Sequence, residues 1–477
     1  MSDVSIQQAE RNGLRQNRMS AAAIVFFVIA AVAPIGAIVG GSPVIFGAAG
    51  PGAPGIFLIV GILFGLFSVG YVAMSRHISN AGGFVAYVAE GFGPRVAAAV
   101  AMMTVIGYLS LVTGFWGFAS GLIQYTFNEK LGVNIPPAVS LTVLIGLVTF
   151  LTYRGVDVSL KALGVLLVLE VAVILAMNVG IIGAGGATGL SGEGFSWSNI
   201  AVPGFGIAFL FAVTCFTGIE ATVVFSEEAR DPKVTIPRAA YFAIALVAIF
   251  YAFTIWCISM AFGPTEVQAV ANANPQGMVF QAAYNYGGGF VGKAFEWLVF
   301  TSLLAMFIGF HNIVSRYIYA VARAGLFVEP LSRSHKKTGS PNVAALFMGA
   351  CVLGMNLVFL FGGADPMGII YPWFSALGTV SIQIGLIATS LSVLAFFRRT
   401  GVDTRLWHTK VAPSLACLGF LAAGILAVMN YDMLLGGQGG FARWLLLLLP
   451  VGALVGWIYS GQRIKAGKHM DFATSLK

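Results

Sequence analysis

Apolar segments long enough to cross a lipid bilayer follow one another along almost the whole chain, separated by short polar turns. A hydrocarbon core about 30 Å thick takes about 20 helical residues. Lipid offers no hydrogen-bond partner to a loop or an open strand edge, so backbone in it must close its own bonds. A chain of this pattern is therefore restricted to a bundle of spanning helices. Suitable segments lie at 20–44, 54–75, 96–126, 137–153, 162–185, 203–226, 239–262, 290–322, 343–361, 368–396, 412–430 and 442–461, twelve in all. Only 9% of the residues are charged, against about 25% in soluble domains, which excludes a soluble globule. The expectation is an all-α integral membrane protein with one transmembrane domain over 1–477 and no soluble one. No cleavable signal is expected, because the chain is polar through Arg18 and then enters the first apolar segment.

Basic residues test that count. With the N-terminus on the cytoplasmic side, twelve crossings put 23 of the 26 Lys and Arg on that side and leave Lys130, Lys293 and Arg443 on the other. One span more or fewer would scramble this asymmetry, which follows the positive-inside rule. Both tails, 1–18 and 462–477, are thus expected in the cytoplasm of a cell whose plasma membrane holds the protein. The net charge of +8 then reflects orientation in a lipid bilayer; the bases are dispersed over loops, so no nucleic-acid partner is expected. Cys215, Cys257, Cys351 and Cys417 all lie in apolar segments without metal-ligand spacing, so neither a metal nor a cofactor is expected. Segments 184–202 and 263–289 read as external loops with room for short interfacial helices, and 227–238 as a charged turn.

Two of the apolar segments are interrupted by glycine in a similar way, about 180 residues apart. One reads Ala33-Pro34-Ile35-Gly36-Ala37-Ile38-Val39-Gly40-Gly41, the other Cys215-Phe216-Thr217-Gly218-Ile219-Glu220. Backbone freed from a helix at membrane depth is tolerated where it lines a cavity, and corresponding breaks in two halves of a chain point to a transporter's binding site. A broken helix presents N–H groups that suit a carboxylate at one end and carbonyls that suit an ammonium at the other. Ile35, Gly36, Ala37, Gly40, Gly41, Cys215, Phe216, Thr217 and Gly218 are therefore candidate substrate-binding residues. The competing reading is that the glycines only let helices approach closely. If Gly36 and Gly218 are equivalent, five spans make one repeat. An odd number inverts the second repeat, giving spans 1–5 over 19–186, spans 6–10 over 203–396, and two further helices over 412–461.

Several motifs carry a family resemblance. Ser79-Asn80-Ala81-Gly82-Gly83-Phe84-Val85-Ala86-Tyr87-Val88 follows the second span. Phe216-Thr217-Gly218-Ile219-Glu220 leads into Ser226-Glu227-Glu228-Ala229-Arg230-Asp231-Pro232 and Ile236-Pro237-Arg238-Ala239. Ser315-Arg316, Ala322-Arg323-Ala324-Gly325 and Pro341 mark the eighth span and its exit. Together they resemble the amino acid–polyamine–organocation (APC) superfamily, in particular its bacterial amino acid permeases. The resemblance implies the APC/LeuT-like fold of twelve transmembrane helices, with a five-plus-five inverted repeat and broken helices 1 and 6. It departs from the family in lacking Gly-Ser-Gly in the first span. Where a large branch of the family carries a lysine in the fifth span, Glu170 stands here, which reverses the charge. Ser315 matches the place where sodium-coupled relatives bind their ion.

Within that frame Glu220, two residues past Gly218, is a candidate proton carrier or gate, with capping of freed backbone N–H groups as the plainer reading. An acid at mid-membrane costs several kcal/mol unless neutralised or paired. Glu170 is a second coupling candidate, or a carboxyl held neutral against a neighbouring helix. His311 can titrate near neutral pH or simply pack. Tyr108 and Thr113 are candidates to line the cavity, and Phe216 to close it as a lid. Arg154, Arg230, Arg238 and Arg316 set topology, and some of them are expected to pair with Glu227 or Glu228 at an inner gate. The reading is a secondary active transporter, not an enzyme, that moves an amino acid by proton symport. Its rival is a polyamine or organic-amine permease of the same fold. A membrane-embedded enzyme would need a nucleophile–base pair or His/Asp cluster at one depth, and none stands out. No ATP-binding Gly-x-x-x-x-Gly-Lys-Ser/Thr loop occurs.

Overall fold

A computed structural model describes residues 19–78, 82–154, 160–335, 339–435, 439–468 and 470–472. Ser79, Asn80 and Ala81 of the motif after the second span lie outside the described residues, as do both expected tails through Arg18 and from Ala473. Among the described residues the architecture is all helical, the one strand-like feature being an isolated parallel bridge between Met19 and Ala229. Ten helical stretches are long and apolar enough to cross a membrane.

The helices, in order, are α1 Ala21–Val32, α2 Pro34–Ala49, α3 Ala53–Ser75, α4 Phe84–Phe92, α5 Pro94–Leu131, α6 Pro137–Arg154 and α7 Leu160–Ala184. They continue as α8 Phe205–Phe216, α9 Pro232–Phe262, α10 Met278–Arg323, α11 Asn342–Phe361, α12 Tyr371–Thr400, α13 Ala412–Met429 and α14 Leu448–Lys465. Short helices Trp197–Ile200 and Val267–Ala273 occupy the two expected external loops. Helix α10 bends at Gly288, whose φ of 79° lies outside helical space.

Burial separates a centre from a rim. Helices α2, α3, α5, α8, α10 and α12 carry the packed core. Helices α6, α7, α11, α13 and α14 show outward rows such as Val143, Leu147 and Phe150 or Leu418, Leu421 and Ile425. Large exposed apolar surface on that scale suits lipid rather than water. The strongest helix pairings are α5 with α12, α3 with α9, α14 with α5, and α10 with α7.

Both expected interruptions exist, in different forms. The first falls at one residue, Ala33, which sits in the left-handed region with φ 48° and ψ 79°. Pro34 causes it: proline lacks an N–H, clashes with the preceding turn, and disfavours helical backbone in the residue before it. Pro34 then serves as the first residue of α2. Gly36, Gly40 and Gly41, expected to free backbone, sit inside a regular helix. Their use is close approach: a Cβ on Gly41 would lie 2.5 Å from Cys215 Sγ, and one on Gly40 3.2 Å from the Phe118 ring. The second interruption is broader. Only Phe205–Phe216 of the expected segment 203–226 is α-helical. Thr217 turns extended (ψ 134°), Gly218 takes φ 112°, and short 3₁₀ turns follow at Ile219–Thr222 and Ser226–Glu228. That φ favours glycine strongly, because other residues pay a steric cost there.

Candidate functional site

The two interruptions face each other. A Cβ on Gly218 would lie 3.5 Å from Ala31 and 3.7 Å from Val32, the last turn of α1. Between them is a cavity of about 40 Å³. Of the sequence-predicted residues, Gly36, Ala37, Gly40, Gly41, Cys215 and Thr217 line it. Its walls are otherwise Phe115, Phe118, Phe211, Phe310, Leu303 and Met306, with Thr214 and Tyr371 adding hydroxyls. None of the lining residues carries a charged side chain.

A second, larger space of about 460 Å³ adjoins the first and is lined by Pro43, Val44, Gln276, Asp365, Met367 and Pro372, among others. The two share Gly40, Phe118, Phe211 and Tyr371, so these residues form the partition. The Tyr371 hydroxyl donates to the Gly40 carbonyl at 3.0 Å, and its ring packs against Phe118 at 5.1 Å between centroids. Beyond the second interruption, ion pairs join α10 to the chain that follows that break. Arg316 binds Glu228 through two nitrogens, at 2.5 and 3.2 Å, and Arg323 binds Glu227 at 2.6 Å. Two-point guanidinium–carboxylate pairs are among the stronger polar contacts. Met19 adds two backbone bonds, donating to the Glu228 carbonyl and accepting from the Arg230 amide, each 3.0 Å.

Each broken helix has its freed amide met by an acid. Glu220 is 3% exposed. Its Oε2 accepts from the Gly218 amide at 2.8 Å and its Oε1 from the Tyr108 hydroxyl at 2.7 Å. Its own carbonyl accepts from the Tyr71 hydroxyl at 2.8 Å. Glu170 is 2% exposed, with the Ile35 amide and the Ser302 hydroxyl as the polar neighbours of its carboxyl. Ser302 Oγ accepts from the Gly36 amide at 3.4 Å, while Glu170 Oε2 has no partner. Ala37 donates to the Ala33 carbonyl at 2.8 Å. The first free amides of α2 are thus directed at Glu170 and Ser302.

Several candidates stand elsewhere. Tyr108 points to Glu220, and the Thr113 hydroxyl bonds back to the Leu109 carbonyl at 2.7 Å. Phe216 turns away from the cavity and stacks on Phe64 at 5.3 Å. His311 Nε2 lies 3.0 Å from the Ala345 carbonyl of α11, and Ser315 donates to Met348 Sδ at 3.9 Å. Sequence reasoning missed Ser302 and the aromatic partition. A serine in an apolar helix and phenylalanines at helical spacing carry no signal that separates lining from packing.

Comparison with known proteins decides the family. Residues 23–461 match the family described as "Amino acid permease". The chain belongs to the amino acid permease family, within the APC superfamily. This permease is 22% identical over 437 residues to the branched-chain amino acid permease BcaP of Bacillus subtilis (strain 168), covering 87% of each chain. It is 23% identical over 411 residues to BcaP of Lactococcus lactis subsp. cremoris (strain MG1363), covering 79% of this chain and 81% of that protein. It is 26% identical over 309 residues to the low-affinity putrescine importer PlaP of Escherichia coli (strain K12), covering 62% of this chain and 65% of that protein. Family and helices together make it a multi-pass membrane transporter of small molecules.

Proposed function

We propose that this permease imports an amino acid with an apolar side chain across the plasma membrane, coupled to protons, with both termini in the cytoplasm. The observation that carries the substrate class is the cavity between the two helix breaks, which is walled by phenylalanine, leucine and methionine and lined by no charged side chain. A diamine would bring two ammonium groups with Glu170 as the one acid beside the amides of α2, and the second would be buried among apolar side chains without a counter-charge, at a cost of several kcal/mol. An α-amino acid brings both charges on adjacent carbons, where helix ends can meet them. The names of the BcaP relatives agree with an apolar side chain, that of PlaP with an amine.

Twelve crossings with an inverted repeat suit the packing. Exchange of spans 1–5 with spans 6–10 maps the pairing of α5 with α12 onto that of α10 with α7. It maps the pairs α3 with α9, α2 with α8, and α6 with α11 onto themselves. Protons suit the site better than sodium, because the Ser315 hydroxyl is directed at the Met348 thioether, a poor partner for a hard cation.

The test is uptake by purified protein in liposomes. Leucine, isoleucine, valine and phenylalanine should be accumulated under an inward pH gradient without sodium, and putrescine should neither be taken up nor compete. Accumulation of putrescine, or a strict need for sodium, would overturn the respective half of the proposal.

A further inference from the structure

We propose that Glu170 is a built-in competitor for the amide end of α2, and that substrate binding there is linked to proton uptake by this side chain. The inference rests on the reading that the substrate carries a carboxylate. The start of α2 offers few donors: Pro34 has none, Ile35 faces Glu170, Gly36 donates to Ser302, and Ala37 is already bonded within the chain. That terminus is the positive end of a helix dipole and suits one anion. Gly36 also lines the cavity, so a carboxylate bound there would take the Gly36 amide, next in the chain to the Ile35 amide that faces Glu170 and one hydroxyl, that of Ser302, from the same carboxyl. Two carboxylates at one site repel each other, and one of them must be neutral. Glu170 is the one that can give way. One of its oxygens is unpartnered, whereas both oxygens of Glu220 are held by Tyr108 and Gly218.

Among the described residues, the surroundings of Glu170 supply no other neutralising charge. The ionisable side chain among those residues that interacts with it is Tyr251 of α9, whose hydroxyl donates to the Val32 carbonyl at 3.3 Å. Helix α10 contributes the Ser302 hydroxyl, and α1 and α2 contain no ionisable residue. Arg316 of α10 is committed to Glu228. A proton from the aqueous phase therefore forms the new O–H bond on the Glu170 carboxyl as the substrate's carboxylate takes the Gly36 amide.

The experiment is calorimetry of leucine binding to the full-length protein in detergent, repeated at one pH in two buffers of different ionisation enthalpy, with isoamylamine as the probe lacking a carboxylate. Wild type should take up about one proton per leucine bound. Glu170→Gln should bind leucine with that uptake lost, and Glu170→Asp should retain it. As a measurement that needs no variant, infrared difference spectra of wild type should show a protonated-carboxyl C=O band on adding leucine and none on adding isoamylamine. Leucine binding with no proton uptake in wild type, or uptake that persists in Glu170→Gln, overturns the inference while leaving the amino acid reading intact. Binding of isoamylamine but not leucine overturns both.

Discussion

The Tyr371 hydroxyl donates to the Gly40 carbonyl at the boundary between the outer space and the inner cavity, so one bond ties α12 to the second half of the broken first helix. A net contribution of about 1 kcal/mol is typical for such a bond. Tyr371→Phe keeps the ring that separates the two spaces and removes the tie. Exchange of leucine should then speed up or slow down by no more than about fivefold, and Tyr371→Ala, which opens the partition, should lower affinity by far more. Equal effects from the two variants would show that the partition is not what retains substrate.

Gly218 has φ 112°, and a Cβ added there would meet nothing closer than 3.5 Å, so space is present and backbone geometry is the obstacle. Gly218→Ala should cost about 1–3 kcal/mol through strain alone, with some transport surviving. Gly218→Leu should abolish leucine binding while protein still reaches the membrane. Unchanged leucine affinity in Gly218→Leu would place the substrate elsewhere.

Glu220 holds the second interruption closed on itself through Gly218 and Tyr108. Glu220→Ala strands a buried amide and a buried hydroxyl, each worth about 1–3 kcal/mol when unsatisfied. Its thermal midpoint in detergent should fall well below that of Glu220→Gln, which keeps an acceptor. Matching midpoints for the two variants would mean that the carboxylate does not organise the break.

Cys215 lines the cavity, with its Sγ 3.8 Å from the Ala37 carbonyl, while Arg316 and Glu228 pair beyond the second interruption. In inside-out vesicles, Arg316→Ala should raise the rate of Cys215 alkylation by a maleimide, and leucine should protect. No gain in rate would show that this ion pair does not control access from the side that carries most of the basic residues.

Cysteines introduced at Ser2 and Ser475 should be labelled by an impermeant maleimide in inside-out vesicles and not in intact cells. Labelling of either from outside would break the twelve-crossing arrangement.

The helices were legible because lipid imposes a length on every apolar segment, and each expected segment meets a helix in the structure, with 203–226 shortened to Phe205–Phe216. Gly218 was legible as the break because an isolated glycine there leads straight into an acid. The first break was legible only in part. Three glycines drew attention to 36–41, yet Pro34 acts on the residue before it, so the turn is at Ala33. Glu170 and Glu220 stood out as acids in apolar surroundings, but a sequence does not say which backbone amide an acid will meet. The pairing of Arg316 and Arg323 with Glu228 and Glu227 realised a general expectation of inner ion pairs, with Arg323 in a place that sequence had assigned to a motif.

The single left-handed residue between α1 and α2 stands where a pivot would be placed. No bond internal to either half is lost when α1 swings about Ala33, because the helices on each side complete their own ladders. Twelve residues at 1.5 Å rise make a lever of roughly 18 Å, so a tilt of ~20° would carry its far end about 6 Å. That swing is resisted along the helix by packing against α9 and α10 and by the Tyr251 bond to the Val32 carbonyl, and at the tip by the bonds of Met19 to Glu228 and Arg230. A door hung on one residue keeps its hydrogen-bond ladders whole as it turns; what its opening costs is the apolar face it presents to α9 and α10 and a latch of backbone bonds at its free edge, beside the Arg316–Glu228 ion pair.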